Sequence, residues 1–256
     1  FETHAHYEDV KFDSDREELL ALLPKQNIEY VINVGSNLET TRKSIELAKQ
    51  YDFIYAAVGV HPSDIAELNE STFEELKEVA DYEKTVAIGE IGLDYYWDKD
   101  TLVQEKQREW IKCQMLVAKE KNLPVIIHSR DAAEDTMKVM KEVKAEEIPG
   151  VIHCYSYSLE MARQFIKMGY YIGIGGVLTF KNAKKLKEVA AEIPLERILL
   201  ETDCPYMAPE PHRGERNSSL YIPHVIEKLA EIRNITKEEI IAITNENARR
   251  LFLRIS

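Results

Sequence analysis

Thr3-His4-Ala5-His6, four residues from the start of the chain, decide how the rest is read. On a strand, residues two apart point the same way, whereas on a helix they lie about 200° apart, so His4 and His6 reach one ion only if this segment is extended. Four more ligand-type residues occupy the same kind of position. Glu90 ends Thr-Val-Ala-Ile-Gly-Glu, His128 ends Pro-Val-Ile-Ile-His, His153 ends Gly-Val-Ile-His, and Asp203 ends Ile-Leu-Leu-Glu-Thr-Asp. Each closes an apolar run. Imidazoles and carboxylates converging from separate strand ends suit one or two catalytic divalent cations, although any one of them alone reads simply as a polar residue finishing a strand.

The apolar periodicity predicts strands at 2–6, 30–35, 54–59, 85–90, 125–128, 151–153, 171–174 and 197–201. Helical patterns lie between them, near 15–26, 38–50, 71–80, 101–121, 131–143, 158–168 and 182–191, and again from about 219 to the end. Pro124 and Pro194 mark helix stops ahead of the fifth and eighth strands. Eight strands alternating with helices predict an α/β fold, a (β/α)8 TIM barrel forming a single domain over 1–256, with the metal site at the C-terminal rim of the strands. A doubly wound open sheet is the alternative. The barrel is preferred because closing the sheet brings the first and last strands together, as the ligands from strands one, four, five, six and eight require.

The 256 residues match the roughly 250 typical of such a barrel. No apolar run approaches the ~18 residues of a membrane span, and no charged-then-apolar leader precedes the first strand, so a cytoplasmic protein with no membrane partner is expected. Phe rather than Met at position 1 leads us to expect a longer encoded chain. Cys113, Cys154 and Cys204 are odd in number and lack Cys-x-x-Cys spacing, which argues against a disulfide framework or zinc knuckle. Strand alternation predicts that Cys154 and Cys204 face away from the neighbouring ligands. With 33 basic and 45 acidic residues the net charge is −12, so nucleic acid would have to be held locally rather than by a basic surface.

With those residues placed, the whole chain resembles the TatD family of metal-dependent deoxyribonucleases, related to the amidohydrolase-like barrel hydrolases. The resemblance rests on Thr3-His-Ala-His6, Ala57-Val-Gly-Val-His-Pro62, Ile88-Gly-Glu-Ile-Gly-Leu-Asp-Tyr95, Val125-Ile-Ile-His-Ser-Arg-Asp131, Gly176-Val-Leu-Thr-Phe-Lys-Asn182 and Leu200-Glu-Thr-Asp203 followed by Pro205. His153-Cys-Tyr-Ser stands where family members commonly read His-Cys-Phe-Ser. The resemblance implies that His4, His6 and Asp203 hold one ion and His128 and His153 a second, with Glu90 bridging both. It further implies cleavage of DNA, often from the 3′ end, with Mg2+ or Mn2+ as the working ions and Zn2+ or another transition metal as an alternative.

Phosphodiester hydrolysis needs an activated water and charge stabilisation on phosphate and leaving oxygens, which two cations ~3.5–4 Å apart supply. Asp203 is the candidate to orient or deprotonate that water. Glu201 shares its parity one layer deeper and reads as an orienting partner or a buried structural charge. Asp94, on the loop after Glu90, is placed to touch a ligand histidine or solvent in the site. Tyr95, Tyr96 and Trp97 either stack a base or anchor that loop. His61 is a candidate phosphate donor or a turn cap. Arg130, two past His128, offers a planar fork to phosphate or pairs with Asp131 or Glu134. Lys181 adds charge where Gly175-Gly176 lead into a helix. Arg213 and Arg216, with His212, lie in the Pro-rich loop after Asp203 and contact backbone phosphates or only solvate the loop. The expected partner is DNA, single-stranded or at 3′ ends, with no obligate protein partner.

Two other functions fit the same pattern. One is a barrel hydrolase acting on a small amide, lactone or phosphoester; several of these bridge their metals with a carboxylated lysine, and here Glu90 stands at that strand end. The other is a non-catalytic metal-binding protein, which should lack a ligand or carry a blocked loop; neither is visible.

Overall fold

Parallel pairing of Glu2 with Val31 begins a sheet that runs in chain order through all eight strands of the computed structural model, which describes residues 1–255. The strands are β1 (Glu2–Ala5), β2 (Val31–Val34), β3 (Ile54–Val58), β4 (Thr85–Asp94), β5 (Val125–Arg130), β6 (Gly150–Ile152), β7 (Tyr171–Ile174) and β8 (Ile198–Leu200). Residues just beyond β8 close the ring onto β1. Asp203 N–H donates to His4 O at 2.9 Å, and His6 N–H donates to Cys204 O at 2.8 Å. The sheet is the expected barrel, not an open doubly wound sheet.

Strand alternation sorts the apolar residues into two cores. Ile32, Val34, Tyr55, Ala57, Ile126, Val151, Tyr171 and Leu199 form one cluster, whose only helical members come from the C-terminal helix. Their strand neighbours Val31, Ile54, Ala56, Val125, Ile127, Ile152, Ile172, Ile198 and Leu200 belong to a second cluster shared with the surrounding helices. The first set fills the barrel interior, the second the layer outside it, as expected of strands covered on both faces. Two residues further along the interior rows of β5, β6 and β8 stand His128, His153 and Glu201. The polar site is therefore the layer above an apolar interior.

The helices are α1 (Arg16–Leu22), α2 (Leu38–Gln50), α3 (Glu70–Val79), α4 (Thr101–Lys121), α5 (Ala133–Glu142), α6 (Leu159–Lys167), α7 (Lys184–Glu192), α8 (Ile222–Arg233) and α9 (Lys237–Leu251). Their ends follow local chemistry. Asn37 and Thr236 form capping boxes at α2 and α9, and Asn122 ends α4 in the left-handed conformation. The helix expected over 15–26 stops at Leu22 because Pro24 opens a separate 3-10 turn. The further helix expected from about 219 to the end is two helices: Asn234, at φ 53°, ends α8, and the Thr236 cap starts α9; residue 256 lies outside the described residues. Helix α9 seals the N-terminal end of the barrel, where Asn247 Nδ2 donates to the carbonyls of Leu195 and Ile198.

Two strands run past their expected ends. Between the pairs Ile88↔Val125 and Ile91↔Ile127, β4 carries one residue more than β5, a bulge that contains Gly89 and Glu90. Pairing then resumes as Gly92↔His128, Leu93↔Ser129 and Asp94↔Arg130. Asp94, expected on a loop, is thus a strand residue, and so is Arg130, two past the expected strand end at His128. Gly92 permits this approach, since a Cβ there would lie 1.9 Å from His128 O. Among the described residues no helix is long and apolar enough to cross a membrane.

Candidate metal centre

The bulge re-aims Glu90 into the mouth of the barrel, where its two oxygens face different partners. Oε2 lies 3.5 Å from His4 Nε2 and 3.8 Å from His6 Nε2. Oε1 lies 2.9 Å from His128 Nδ1 and 2.8 Å from His153 Nε2. Asp203 Oδ1 completes the first group, 3.7 Å from His4 Nε2 and 3.5 Å from His6 Nε2. All six residues from the strand ends therefore meet at one place. His4, His6, Glu90 and His153 are buried, while Asp203 keeps 17% of its side chain exposed and opens the site to solvent.

Asp203 arrives by a turn, not by strand parity. It lies beyond β8 at φ 56°, a conformation that costs most residues about 1 kcal/mol but that aspartate tolerates, and the Asp203 N–H to His4 O bond holds it there. The same departure overturns the expectation for Cys154. Strand β6 stops at Ile152 and Cys154 sits at φ 43°, so alternation no longer turns it away. Burial first, then the nearby carboxylates of Asp203, Glu201 and Glu90, push its thiol pKa well up. Cys204 does lie in the outer apolar layer.

Hydrogen bonds fix which ring nitrogens are free. A carbonyl only accepts, so the 2.7 Å contact from His6 Nδ1 to Val34 O places the proton on Nδ1 and turns the Nε2 lone pair of neutral His6 toward His4, Glu90 and Asp203. His128 Nε2, 3.1 Å from Asp94 Oδ2, likewise frees Nδ1 to face Glu90 and His153. Among the described residues no lysine or arginine comes within 4.0 Å of Glu90 or Asp203. Converging lone pairs and carboxylates without a local cation are the donor chemistry of divalent ions, and His4–His6–Asp203 and His4–Glu90–His153 each bring three ligand atoms within 4.8 Å. A third such group is His61–Asp94–His128, in which Asp94 Oδ2 faces His128 Nε2 at 3.1 Å.

The electrostatics agree with that crowding. Burial disfavours charge on His6, but the carboxylates of Asp203 and Glu8 outweigh it and raise its pKa well above the usual value. Burial likewise opposes ionisation of Glu90, yet the charge of His153 and the hydrogen bonds from His128 and His153 hold its carboxyl well below the ordinary range. Burial lowers His61 to about 3. His61 is thus neutral; its Nδ1 accepts from Ser63 N–H at 3.1 Å, so Nε2 carries the proton, 3.6 Å from Glu90 Oε1.

The remaining candidates spread around this centre. Glu201 Oε1 accepts from Cys154 N–H and lies 3.7 Å from His153 Nδ1; its carboxylate fills the space that a Cβ at Gly173 would occupy. Asp94 is buried, with Oδ1 accepting from the backbone N–H of Tyr96 and Trp97. Arg130 stacks on Tyr96 at 3.9 Å, and makes no ion pair with Asp131 or Glu134. Lys181 is exposed in a turn. A 3-10 segment, Gly176–Thr179, intervenes after β7, so α7 begins only at Lys184 and the glycines do not open it directly. Arg213 stacks on Phe180 at 4.4 Å, whereas Arg216 is locked in a two-point ion pair with Asp15 at 2.6 and 2.5 Å.

Sequence reasoning missed Glu8 and Asn33. Glu8 Oε1 lies 3.5 Å from His6 Nδ1, and Asn33 Nδ2 donates to Glu8 Oε2 at 2.7 Å. The signal for Glu8 was present, since it continues the even-numbered series His4, His6, Glu8.

Comparison with known proteins agrees with this geometry. The family described as TatD related DNase matches residues 1–253. An uncharacterized metal-dependent hydrolase of Bacillus subtilis, YabD, is 47% identical over 98% of both chains. Another from Escherichia coli, YcfH, is 34% identical over 98% of this chain and 94% of its own. The crystal structure of the E. coli TatD homologue YjjV superposes with a TM-score of 0.92 at 32% identity, covering 98% of this chain and 97% of that one. A barrel whose strand ends gather this histidine and carboxylate set, matched by a family profile along nearly its full length, belongs to the TatD-related DNase family of metal-dependent hydrolases.

Proposed function

We propose that the chain hydrolyses phosphodiester bonds of DNA, working from 3′ ends of single strands with two divalent cations. The observation that carries this reading is the division of Glu90: one oxygen toward His4 and His6, the other toward His128 and His153. In this reading His4, His6 and Asp203 would hold one cation and His128 and His153 the other, with Glu90 offering an oxygen to each. Mg2+ or Mn2+ fits the working role, with Zn2+ the alternative. When bound, such a pair lowers the pKa of water and neutralises charge on the phosphate oxygens.

The chain's own groups do the rest. Asp203, partly exposed, is placed to take the proton of the attacking water and return it to the 3′ oxygen released as the P–O3′ bond breaks. The N–H of neutral His61 donates to a non-bridging phosphate oxygen. Glu201 holds the turn at Cys154 and the ring of His153 in place. Asp94 does the same for His128. Arg130, Lys181 and Arg213 contact the phosphates of the strand around the rim. With a net charge of −12, such local contacts are what keeps an anionic polymer at the site.

The test is digestion of single-stranded DNA labelled at either end, with Mg2+, Mn2+ or EDTA, resolved at nucleotide length, beside a panel of small amides, lactones and phosphotriesters. Metal-dependent shortening from the 3′ end is the expected result. Turnover confined to the small molecules would overturn the proposal.

A further inference from the structure

Immediately past Asp94 the chain makes a turn whose three aromatic residues behave differently. Tyr95 is a loop anchor: its hydroxyl donates to Asp135 Oδ2 at 2.7 Å and accepts from Arg108 at 2.8 Å. Tyr96 and Trp97 do not pack down. They remain 44% and 67% exposed, large apolar surfaces left in water at the mouth of a polar site. Their rings meet edge-on, at 87° with centroids 4.8 Å apart.

Two cations dress these rings. The Arg130 guanidinium lies 3.9 Å from the Tyr96 centroid and 5.6 Å from that of Trp97, and Lys99 Nζ lies 5.6 Å from Tyr96. An arginine stacked on an aromatic face keeps its edge donors free for phosphate. The turn is also fixed relative to the candidate metal centre. Asp94 Oδ1 accepts from the N–H groups of Tyr96 and Trp97 at 2.9 and 3.0 Å, while Oδ2 bonds His128 at 3.1 Å. One buried carboxylate thus ties the exposed rings to a histidine of the proposed centre. Exposed π-faces, flanking cations and a rigid link to the reacting end match the chemistry of an unpaired nucleotide, whose base stacks while its phosphate meets the cations. A base inside a duplex has both faces covered by its stacked neighbours.

We propose that Tyr96, Trp97 and Arg130 form a docking platform for an unstacked base next to the phosphate being cleaved, and that this platform makes the chain select single-stranded over duplex ends. The inference rests on the nucleic-acid reading of the site. The platform positions substrate and does not touch the reacting atoms.

The chain has two tryptophans, so Trp110→Phe leaves Trp97 as the only indole reporter. The experiment follows Trp97 fluorescence during titration with oligothymidylate about ten nucleotides long, in EDTA to prevent turnover, with anisotropy of a labelled oligonucleotide reporting binding independently. Saturable quenching is expected, with a dissociation constant about tenfold weaker in Tyr96→Ala and no quenching by a blunt duplex. With metal restored, Trp97→Ala should lower by about tenfold the ratio of kcat/KM for the oligonucleotide to kcat/KM for bis(p-nitrophenyl) phosphate, and Trp97→Phe should restore it. A merely structural role would not move that ratio. An unmoved ratio, binding without quenching, or equal quenching by the duplex would overturn the platform. Quenching by oligothymidylate with no DNA hydrolysis by the wild-type chain would instead overturn the proposed activity and leave the platform standing.

Discussion

Asp94 accepts from His128 Nε2 at 3.1 Å, and this contact leaves the other nitrogen of the ring facing Glu90 and His153. Removing the acceptor should therefore be felt at the metal. In Asp94→Asn the amide can turn an N–H toward His128, and loss of such an orienting partner weakens metal binding about 10–100-fold. Calorimetric titration with Mn2+ should show one of two binding events weakened by that factor.

Gly92→Ala tests the strand extension that places His128. Its Cβ would sit 1.9 Å from His128 O across the β4–β5 pair, so the strands must separate. Overpacking costs about 1–3 kcal/mol or more, and the urea midpoint should fall accordingly, with Mn2+ affinity falling alongside. Stability and affinity equal to wild type would contradict the pairing.

Glu2 predicts a pH dependence of stability. Burial raises its carboxyl from 4.5 to about 7, while its Oε1 accepts from the N–H groups of His4 and Thr202. A raised carboxyl keeps its proton in the folded state when the unfolded chain has already released its own, so stability falls as pH rises from 4.5 to 7. Glu2→Gln removes this slope. In EDTA the variant should gain on wild type between pH 5 and pH 8 by on the order of 1–3 kcal/mol. A difference independent of pH would contradict it.

Proton competition at the centre has the opposite sign. His6 and His153 hold protons above the usual imidazole range in the metal-free protein because Asp203, Glu8, Glu90 and Glu201 outweigh the cost of burial. A cation must displace those protons, so Mn2+ affinity should climb with pH through neutrality, with proton release visible as a dependence of binding heat on buffer ionisation enthalpy.

Most of this arrangement was legible in the sequence because it follows from period-two alternation. His128, His153 and Glu201 continue the rows of Ile126, Val151 and Leu199, so apolar interior and polar mouth could be read from one pattern. Alternation fails where the backbone leaves the strand. The β4 bulge, the left-handed residues Cys154 and Asp203, and the resumption of pairing at Gly92 depend on contacts distant in the chain. Gly89 and Gly92 are places where two strands approach closely, a requirement set by residues far away in the chain. For that reason the sequence pattern places Asp94 on a loop and ends the fifth strand at His128, short of Arg130.

Anomalous diffraction from crystals of the full chain soaked in Mn2+ tests the bridging role of Glu90 most directly. Two peaks flanking its carboxylate are expected, one against His4, His6 and Asp203, the other against His128 and His153. A single ion held by His61, Asp94 and His128, with Glu90 uncoordinated, would contradict it.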